Sequence, residues 1–333
     1  MFAALAPRGF HEILKSKNHR ILFHVMLTRL ILLASVLAVP WGSFAQAHHR
    51  LSAGAILHLQ VAATVPGSPE WSEPFPPHRM IGNIYYVGSR GLASYLITTP
   101  AGHILINSNL KTSIPLIRES VEKLGFHFND IKILLISHAH FDHDAGSAEI
   151  LKLTGAKYVV MDADVSVVES GGKADFQYGA DSTLLYAAAK VDRALHDRDE
   201  VRLGDTTLTA HKTAGHTRGC TTWSLKVSEA GRTYEVIIVG SPNVNPGYKL
   251  VNNARYPEIA DDYTAGFRVL RSLPCDIFLG AHGSYFGMEA KYAKLKTSVA
   301  NPYIDPQGYK DYVAEREQAF VSELQKQTEA AKQ

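Results

Sequence analysis

Short apolar runs and longer amphipathic stretches alternate along most of this 333-residue chain. In the first half, four apolar runs have the length of strands, and the last predicts a buried strand because only Lys132 interrupts it. These runs are residues 83–87, 93–98, 103–106 and 131–136. Between the last two, apolar side chains recur at helical spacing from Ile114 to Leu124. A helix is therefore predicted that begins at Ser113 and ends at Gly125.

The second half of the chain continues this alternation. Helices are predicted over residues 145–153, 181–195, 259–273 and 311–332. Strands are predicted over residues 157–161, as a pair within 200–212, as a hairpin of 221–227 and 233–239, and over 276–279. Groups of strands separated by helices predict an α/β fold in which two β-sheets pack together and helices cover the outside.

The N-terminal region has the pattern of an export signal. An apolar run at residues 30–39 follows Arg29, and small residues at Ser43 and Ala45 offer a cleavage site. The run is too short to span a bilayer. We therefore predict a periplasmic protein with no membrane attachment after cleavage. The region before Met26 is unusually long and basic for a signal peptide, so Met26 is expected to be the true start.

The predicted domain organisation follows from this. The signal peptide covers residues 1–45, an N-terminal extension covers residues 46–78, and one large domain covers residues 79–333. The extension is rich in proline, which predicts irregular chain. We expect Trp71 and Phe75 to pack on the body of the domain; a lip over a functional site is the alternative.

Composition narrows the class of partner. The net charge is only +2, and the lysines and arginines are scattered instead of forming the basic stripe of a nucleic-acid-binding protein. We expect a small-molecule substrate, no nucleic-acid partner and a monomer.

Two cysteines, Cys220 and Cys275, permit at most one internal disulfide. Both are expected to be reduced and buried, with a bond between them as the alternative.

The strongest chemical signal is the motif His138-Ala139-His140-Phe141-Asp142-His143, which follows the predicted buried strand after one residue. Imidazole nitrogens and carboxylate oxygens both suit zinc. A helix would rotate the first and third positions about 200° apart, so we expect a tight loop that turns all four polar side chains inward. Four ligands this close together indicate two metal ions. A solvated polar loop is the alternative.

Two further histidines are candidate ligands. His216 lies between glycines in a loop that joins two predicted strands, and His282 follows the predicted strand that ends at Leu279. Each alone is equally well explained as a structural loop histidine, but the first motif makes each a candidate for a missing metal ligand. The chain has no Gly-x-Ser-x-Gly element, so nothing indicates a serine nucleophile.

The order of these motifs resembles the metallo-β-lactamase superfamily. Four further stretches resemble its class B β-lactamases of the third subclass, namely residues 93–96, 104–109, 216–223 and 245–248. The resemblance implies a four-layer αβ/βα sandwich with two mixed β-sheets and a dinuclear metal site at one edge. It also implies two Zn²⁺ per chain, the first held by His138, His140 and His216 and the second by Asp142, His143 and His282.

The residue type at the position of Ser241 differs between the branches of this family. Other class B branches have a cysteine ligand near this position, and glyoxalase-like and lactonase-like relatives have an aspartate that bridges the metals. A serine is expected in the third subclass, where the residue at His143 is a ligand instead. The resemblance further implies that Ser241 and Asn243 contact the carboxylate of the substrate. Many relatives have a second serine at the position of Asn243, although asparagine can still donate a hydrogen bond. Ordinary turn residues are the alternative for both.

The reaction that the resemblance implies is attack of a zinc-bound hydroxide on the β-lactam amide of penicillins, cephalosporins and carbapenems, which would confer antibiotic resistance. Asp142 would hydrogen-bond the nucleophile. One alternative is a lactonase or thioester hydrolase that uses the same metals. Another is a zinc-dependent binding protein with a vestigial site, which the complete set of ligands disfavours.

Overall fold

The computed structural model describes residues 67–333. The predicted signal peptide and the first part of the predicted extension, residues 46–66, lie outside this range. Within the described part of the chain, no helix combines the length and apolar character needed to cross a membrane.

The first sheet has seven strands in the order β1 to β7. Strands β1 to β4 pair antiparallel as a meander, and β4 to β7 pair parallel, so the sheet is mixed. The strands are β1 His78–Ile81, β2 Ile84–Tyr86, β3 Tyr95–Thr99, β4 Gly102–Ile106, β5 Ile131–Leu135, β6 Lys157–Met161 and β7 Arg193–Leu195.

The second sheet has five strands in the order β12-β11-β10-β9-β8. It is also mixed, because β11 and β12 are parallel while the other pairs are antiparallel. Its strands are β8 Glu200–Leu203, β9 Thr206–Lys212, β10 Thr221–Glu229, β11 Arg232–Val239 and β12 Ile277–Gly280. The predicted strand pair within residues 200–212 and the predicted hairpin of residues 221–239 are both confirmed.

Helices cover the outer faces of both sheets. They are α1 Ile114–Lys123, α2 Phe141–Asp144, α3 Ser147–Thr154, α4 Val165–Glu169, α5 Ile259–Ser272, α6 Met288–Lys294 and α7 Pro306–Ala330. Alternate residues along a strand point to opposite faces. In the first sheet, Leu134 therefore belongs to the same apolar cluster as Ile117 of α1, while Leu135 belongs to the cluster that contains Trp223 of the second sheet. On the far side of the second sheet lie α5 and α7. The predicted four-layer sandwich with two mixed sheets is confirmed.

One predicted helix is wrong. Residues 181–195 contain only the short 3₁₀ turn Ser182–Leu184 and strand β7. The Asp181 side chain does cap the turn, accepting from the Thr183 amide at 2.9 Å. Beyond it, however, the backbone binds its neighbours instead of itself: the Tyr186 amide donates to the Gly171 carbonyl at 3.1 Å. Tertiary contacts thus override the helical preference of the alanines at 187–189.

Both cysteines are free, as predicted. Cys220 is fully buried, and its Sγ accepts from the Ser241 amide at 3.2 Å. Cys275 is only partly buried, so the expectation that both are buried is correct for Cys220 alone.

Candidate metal centre

The six-residue motif occupies the loop and the single helical turn that follow β5. His140 is extended (φ −87°, ψ 154°), and α2 then turns the chain so that the amides of His143 and Asp144 both donate to the His140 carbonyl at 3.0 Å. The loop after β4 supports this turn, because Asn107 Oδ1 accepts from the Ser137 amide at 2.8 Å. The expected tight loop therefore ends in one helical turn, and this turn brings Asp142 and His143 together beside His138.

A buried carboxylate joins the two loops that carry His138, His140 and His216. Asp164 Oδ2 accepts from the Ala139 amide at 3.0 Å and from the Thr217 hydroxyl at 2.8 Å, and Oδ1 accepts from the Gly219 amide at 2.8 Å. Position 219 must be glycine, because a Cβ there would lie 2.6 Å from the backbone nitrogen of Asp164. The spacing between the two loops is therefore fixed by one side chain.

Backbone hydrogen bonds hold the two sheets together at this edge. The Thr221 amide at the start of β10 donates to the Ser137 carbonyl at 2.8 Å, and the Ala93 amide donates to the Ala281 carbonyl at 3.0 Å. The second bond places His282, which follows β12, beside the motif that follows β5. The site accordingly lies where the carboxyl ends of β5, β11 and β12 meet.

Three buried histidines form the first cluster, His138, His140 and His216. Their ring centroids lie 4.6 to 4.8 Å apart, and His140 Nδ1 is 3.1 Å from His216 Nε2. His216 Nδ1 donates to the Asn243 carbonyl at 2.8 Å. In the neutral ring, this bond leaves the lone pair on Nε2, facing the cluster.

The second cluster contains Asp142, His143 and His282. Asp142 Oδ2 lies 3.2 Å from His143 Nε2 and 3.4 Å from His282 Nε2, and the two histidine nitrogens are 3.1 Å apart. His138 also lies within ligand distance of Asp142 and His143, so the two clusters are adjacent. The structure thus brings together all six side chains that were predicted as ligands; that they hold zinc remains a prediction.

The protonation states of four of these side chains suit a cation. Burial lowers the pKa of His138, His143 and His216, and for His216 the pKa falls to about 3. These rings are therefore neutral at pH 7. Burial alone would raise the pKa of Asp142, but the adjacent His143 and His282 bring it well below its usual range, so the carboxylate is ionised.

An unpartnered atom also indicates a metal. His138 Nε2 is buried and has no hydrogen-bond partner within residues 67–333, although buried polar atoms are normally paired. Neutral imidazoles and a carboxylate that converge on this atom are the donor set that zinc prefers. The residues present therefore fit the implied metal.

A cavity of about 460 Å³ opens above the clusters. Four of the candidate ligands line its floor: His140, Asp142, His216 and His282. Its walls include five aromatic side chains, and no lysine or arginine is among the described residues that line it. The wall residues include Trp71, Phe141, Tyr178, Tyr186, Asn243 and Tyr285.

The position of Trp71 differs from the one expected from the sequence. Its ring lies 5.7 Å from that of His282 and 6.0 Å from that of Phe141, so it forms part of the cavity wall instead of packing on the body. The 3₁₀ helix Pro69–Trp71 holds it there, because the Gly91 amide donates to the Glu70 carbonyl at 2.8 Å. Phe75 packs on the body as expected.

The two predicted substrate contacts differ in position. Asn243 lines the cavity, whereas Ser241 is 2% exposed and does not. The Ser241 hydroxyl lies 3.2 Å from the Tyr285 hydroxyl, which also accepts from Asn243 Nδ2 at 2.7 Å. Tyr285 therefore stands between Ser241 and the cavity.

Sequence reasoning missed several residues around the site, among them Asp164, Asp175 and Tyr285. Asp175 lies 3.6 Å from His140 Nε2; burial lowers the pKa of His140, but this carboxylate outweighs it and raises the pKa above the usual value. Tyr285 could have been found from its place three residues after His282, in the 3₁₀ helix Gly283–Phe286. Nothing in the local sequence marks Asp164 or Asp175.

A family model described as the metallo-beta-lactamase superfamily matches residues 88–282, which is more than half of the chain. The chain belongs to the metallo-beta-lactamase superfamily. All six candidate ligands lie within the matched segment, in the order that was predicted.

Similar solved structures include metallo-beta-lactamases. The native FEZ-1 metallo-beta-lactamase from Legionella gormanii is 55% identical, with a TM-score of 0.76, over 77% of this chain and 98% of that one. BJP-1, a subclass B3 metallo-beta-lactamase of Bradyrhizobium japonicum, is 40% identical, with a TM-score of 0.74, over 79% of this chain and 98% of that one.

Curated relatives have broader descriptions. A UPF0173 metal-dependent hydrolase of Anaeromyxobacter sp. (strain K) is 35% identical over 97 residues, which are 28% of this chain and 32% of that protein. Another, from Anaeromyxobacter dehalogenans (strain 2CP-C), is 27% identical over 64% of this chain and 69% of that protein. The chain thus spans about a third of the length of the first of these relatives.

Proposed function

We propose that the protein is a zinc-dependent β-lactamase that hydrolyses the cyclic amide of penicillins, cephalosporins and carbapenems. The observation that carries this proposal is the floor of the cavity, where two adjacent groups of ligand side chains lie below an open space with five aromatic side chains in its walls. Similarity to FEZ-1 and BJP-1 over nearly the whole of those proteins supports a β-lactam as substrate.

In this proposal, one zinc ion is held by His138, His140 and His216, and a second by Asp142, His143 and His282. Bound zinc would supply Lewis acidity, which polarises a carbonyl group and brings the pKa of water to about 7. The protein contributes the neutral rings of His138, His143 and His216, which need not lose a proton before they bind zinc. It also contributes bonds that fix the ligand rings, such as that from His216 Nδ1 to the Asn243 carbonyl.

The rest of the proposed reaction depends on residues that line the cavity. Water adds its oxygen to the carbonyl carbon, the carbon–nitrogen bond of the ring breaks, and the nitrogen takes up a proton. Asp142 lines the cavity and stays ionised, so its carboxylate can accept a hydrogen bond from the attacking water and orient it. Trp71 and Phe141 cover apolar parts of the substrate and keep bulk water away from it.

Ser241 supports a β-lactam over a lactone or thioester. At the end of β11, where relatives of other branches supply a cysteine or an aspartate ligand, this chain has a buried hydroxyl that binds Tyr285. A neutral serine hydroxyl is a poor zinc ligand. His143 is left as the third ligand of the second cluster, as in the third subclass.

The test is a comparison of substrates with purified, zinc-loaded protein. We expect a chromogenic cephalosporin, a penicillin and a carbapenem to be hydrolysed with kcat/KM at least about 100-fold above an acyl-homoserine lactone or an acyl thioester. A chelator should abolish all of this turnover. Preferred hydrolysis of the lactone or the thioester would reject the β-lactamase in favour of the alternative. A folded, zinc-loaded protein that hydrolyses none of them would favour the binding protein.

We also propose that the protein is exported to the periplasm. The basis is the apolar run after Arg29 with small residues at Ser43 and Ala45. Amino-terminal sequencing of the protein from a periplasmic extract should give a mature chain that begins shortly after residue 45. A mature chain that still begins before Met26, or one found only in the cytoplasm, would contradict this proposal.

A further inference from the structure

Three neutral polar groups form a connected patch at one wall of the cavity. Asn243 Nδ2 donates to the Tyr285 hydroxyl at 2.7 Å, and the Ser241 hydroxyl lies 3.2 Å from the same oxygen. Because none of the described residues that line the cavity is a lysine or an arginine, an anionic group of a substrate must be bound there by neutral donors or by the metals.

The orientation of Asn243 makes the hydroxyl oxygen of Tyr285 a hydrogen-bond acceptor. Arg316 of α7 lies behind Asn243, with its guanidinium nitrogen 3.5 Å from Asn243 Oδ1. This cation favours the orientation in which the amide NH₂ of Asn243 points to Tyr285. If Ser241 donates as well, both neighbours give hydrogen bonds to the tyrosine oxygen, and its own proton points into the cavity.

Tyr285 is also rigidly placed. Its ring stacks on that of Tyr312, with centroids 5.2 Å apart and planes 29° apart, and lies 5.0 Å from the ring of His282. The hydroxyl is therefore held at a fixed distance from the second cluster. Penicillins, cephalosporins and carbapenems all carry a carboxylate on the carbon next to the lactam nitrogen. A fixed donor beside the metals suits this shared group.

We infer that the Tyr285 hydroxyl, held by Asn243 and Ser241, is the donor that binds the carboxylate of the substrate. This inference rests on the proposed function and changes one of its details. Ser241 supports the tyrosine from behind instead of touching the substrate, because it is buried and lies outside the cavity wall. Tyr285 thus makes the protein select for substrates that carry an acid at this position.

The test is Tyr285→Phe, which removes only the hydroxyl. The quantity to measure is the preference for a cephalosporin with a free carboxylate over its methyl ester, as the ratio of kcat/KM values. We expect Tyr285→Phe to reduce this preference about 10-fold, mainly through KM of the acid. The matched control is Tyr312→Phe, because the Tyr312 hydroxyl is buried without a hydrogen-bond partner within residues 67–333 and does not line the cavity.

The outcomes separate this inference from the proposed function. Loss of the acid preference in Tyr285→Phe but not in Tyr312→Phe supports the inference. An unchanged preference in both, with the wild type active, overturns the inference and leaves the β-lactamase standing. If the zinc-loaded wild type does not hydrolyse the pair, the proposed function fails. The same preference is then measured as a ratio of dissociation constants by calorimetry, and equal affinities of the wild type and Tyr285→Phe for the acid overturn the inference.

Discussion

Asp164 does not reach the cavity, yet its carboxylate accepts three hydrogen bonds from the two loops that carry the first cluster. Burial raises the pKa of Asp164, and these three donors act in the opposite direction. An amide at this position would bring its NH₂ group against a backbone N–H or a hydroxyl that now donates.

We therefore predict that Asp164→Asn lowers the free energy of unfolding by about 1–3 kcal/mol and weakens zinc binding about 10- to 100-fold. Urea unfolding and competition with a zinc chelator measure the two effects. Asp162→Asn is the control, because Asp162 is close in sequence but its side chain is 38% exposed. Equal effects of the two variants would contradict the role given to Asp164.

A second buried carboxylate, Asp144, predicts a pH effect. It accepts from the hydroxyls of Ser147 and Tyr158, but burial raises its pKa from 3.8 to about 7. The folded chain therefore holds this proton at a higher pH than the unfolded chain does. It follows that Asp144 destabilises the fold by an amount that grows as the pH rises from about 4 to about 7, and then stays constant.

Asp144→Asn removes this titration. In zinc-free protein, the free energy of unfolding of the variant relative to the wild type should therefore rise between pH 4 and pH 7 and level off above. Urea unfolding at half-unit pH steps measures it. A difference between variant and wild type that does not change with pH would contradict the prediction.

At the scale of single residues, the sequence was sufficient to identify candidate ligands that are close together in the chain or that follow predicted strands. Four candidate ligands lie within residues 138–143, and His216 and His282 follow predicted strands. Tyr285 and Asp164 were missed because their roles depend on contacts with distant segments, such as the 55 residues that separate Asp164 from Gly219. No local pattern distinguishes such an aspartate from a solvent-exposed one.

At the scale of elements, strands and amphipathic helices were predicted well because each has one apolar face against a core. The segment 181–195 was not, since its backbone donors bind the segment 168–171 across the cavity wall. Tyr186 in this segment lines the cavity, and its hydroxyl donates to the Ala139 carbonyl at 2.7 Å. The segment for which the helix prediction fails thus forms part of the cavity wall.

Helix α7 stabilises the site from outside. Phe320 is 3% exposed and packs on Tyr263 of α5, with ring centroids 5.1 Å apart. The Tyr263 hydroxyl in turn donates to the Asn243 carbonyl at 2.6 Å, the same carbonyl that accepts from His216.

We predict that Phe320→Ala lowers the free energy of unfolding by about 3–5 kcal/mol, because it leaves a cavity between α5 and α7. Val321→Ala is the matched control, since Val321 is 46% exposed on the same helix; its effect should stay within about 0.5 kcal/mol. Chemical denaturation of both variants measures the difference. Similar losses in the two variants would show that α7 does not pack as described.

At the scale of the whole molecule, both sheets contribute to the candidate metal centre. Each contributes ligands from the ends of its strands, and the bonds from Thr221 to Ser137 and from Ala93 to Ala281 hold those ends together. The order of elements was sufficient to predict two packed sheets. The edge at which they meet was predicted only from the positions of the histidines after the strands.

The most direct test of the central claim is a zinc titration of the chelator-stripped protein, followed by turnover of a chromogenic cephalosporin. We predict no turnover without metal and a rise to a plateau when two zinc ions are bound per chain. His216→Ala should lower turnover on the order of 100-fold or more and bind less zinc. His211→Ala, a half-buried histidine of β9 that binds Ser224, should behave as the wild type. Turnover that does not depend on zinc, or a folded protein that binds two zinc ions and does not hydrolyse the cephalosporin, would contradict the account.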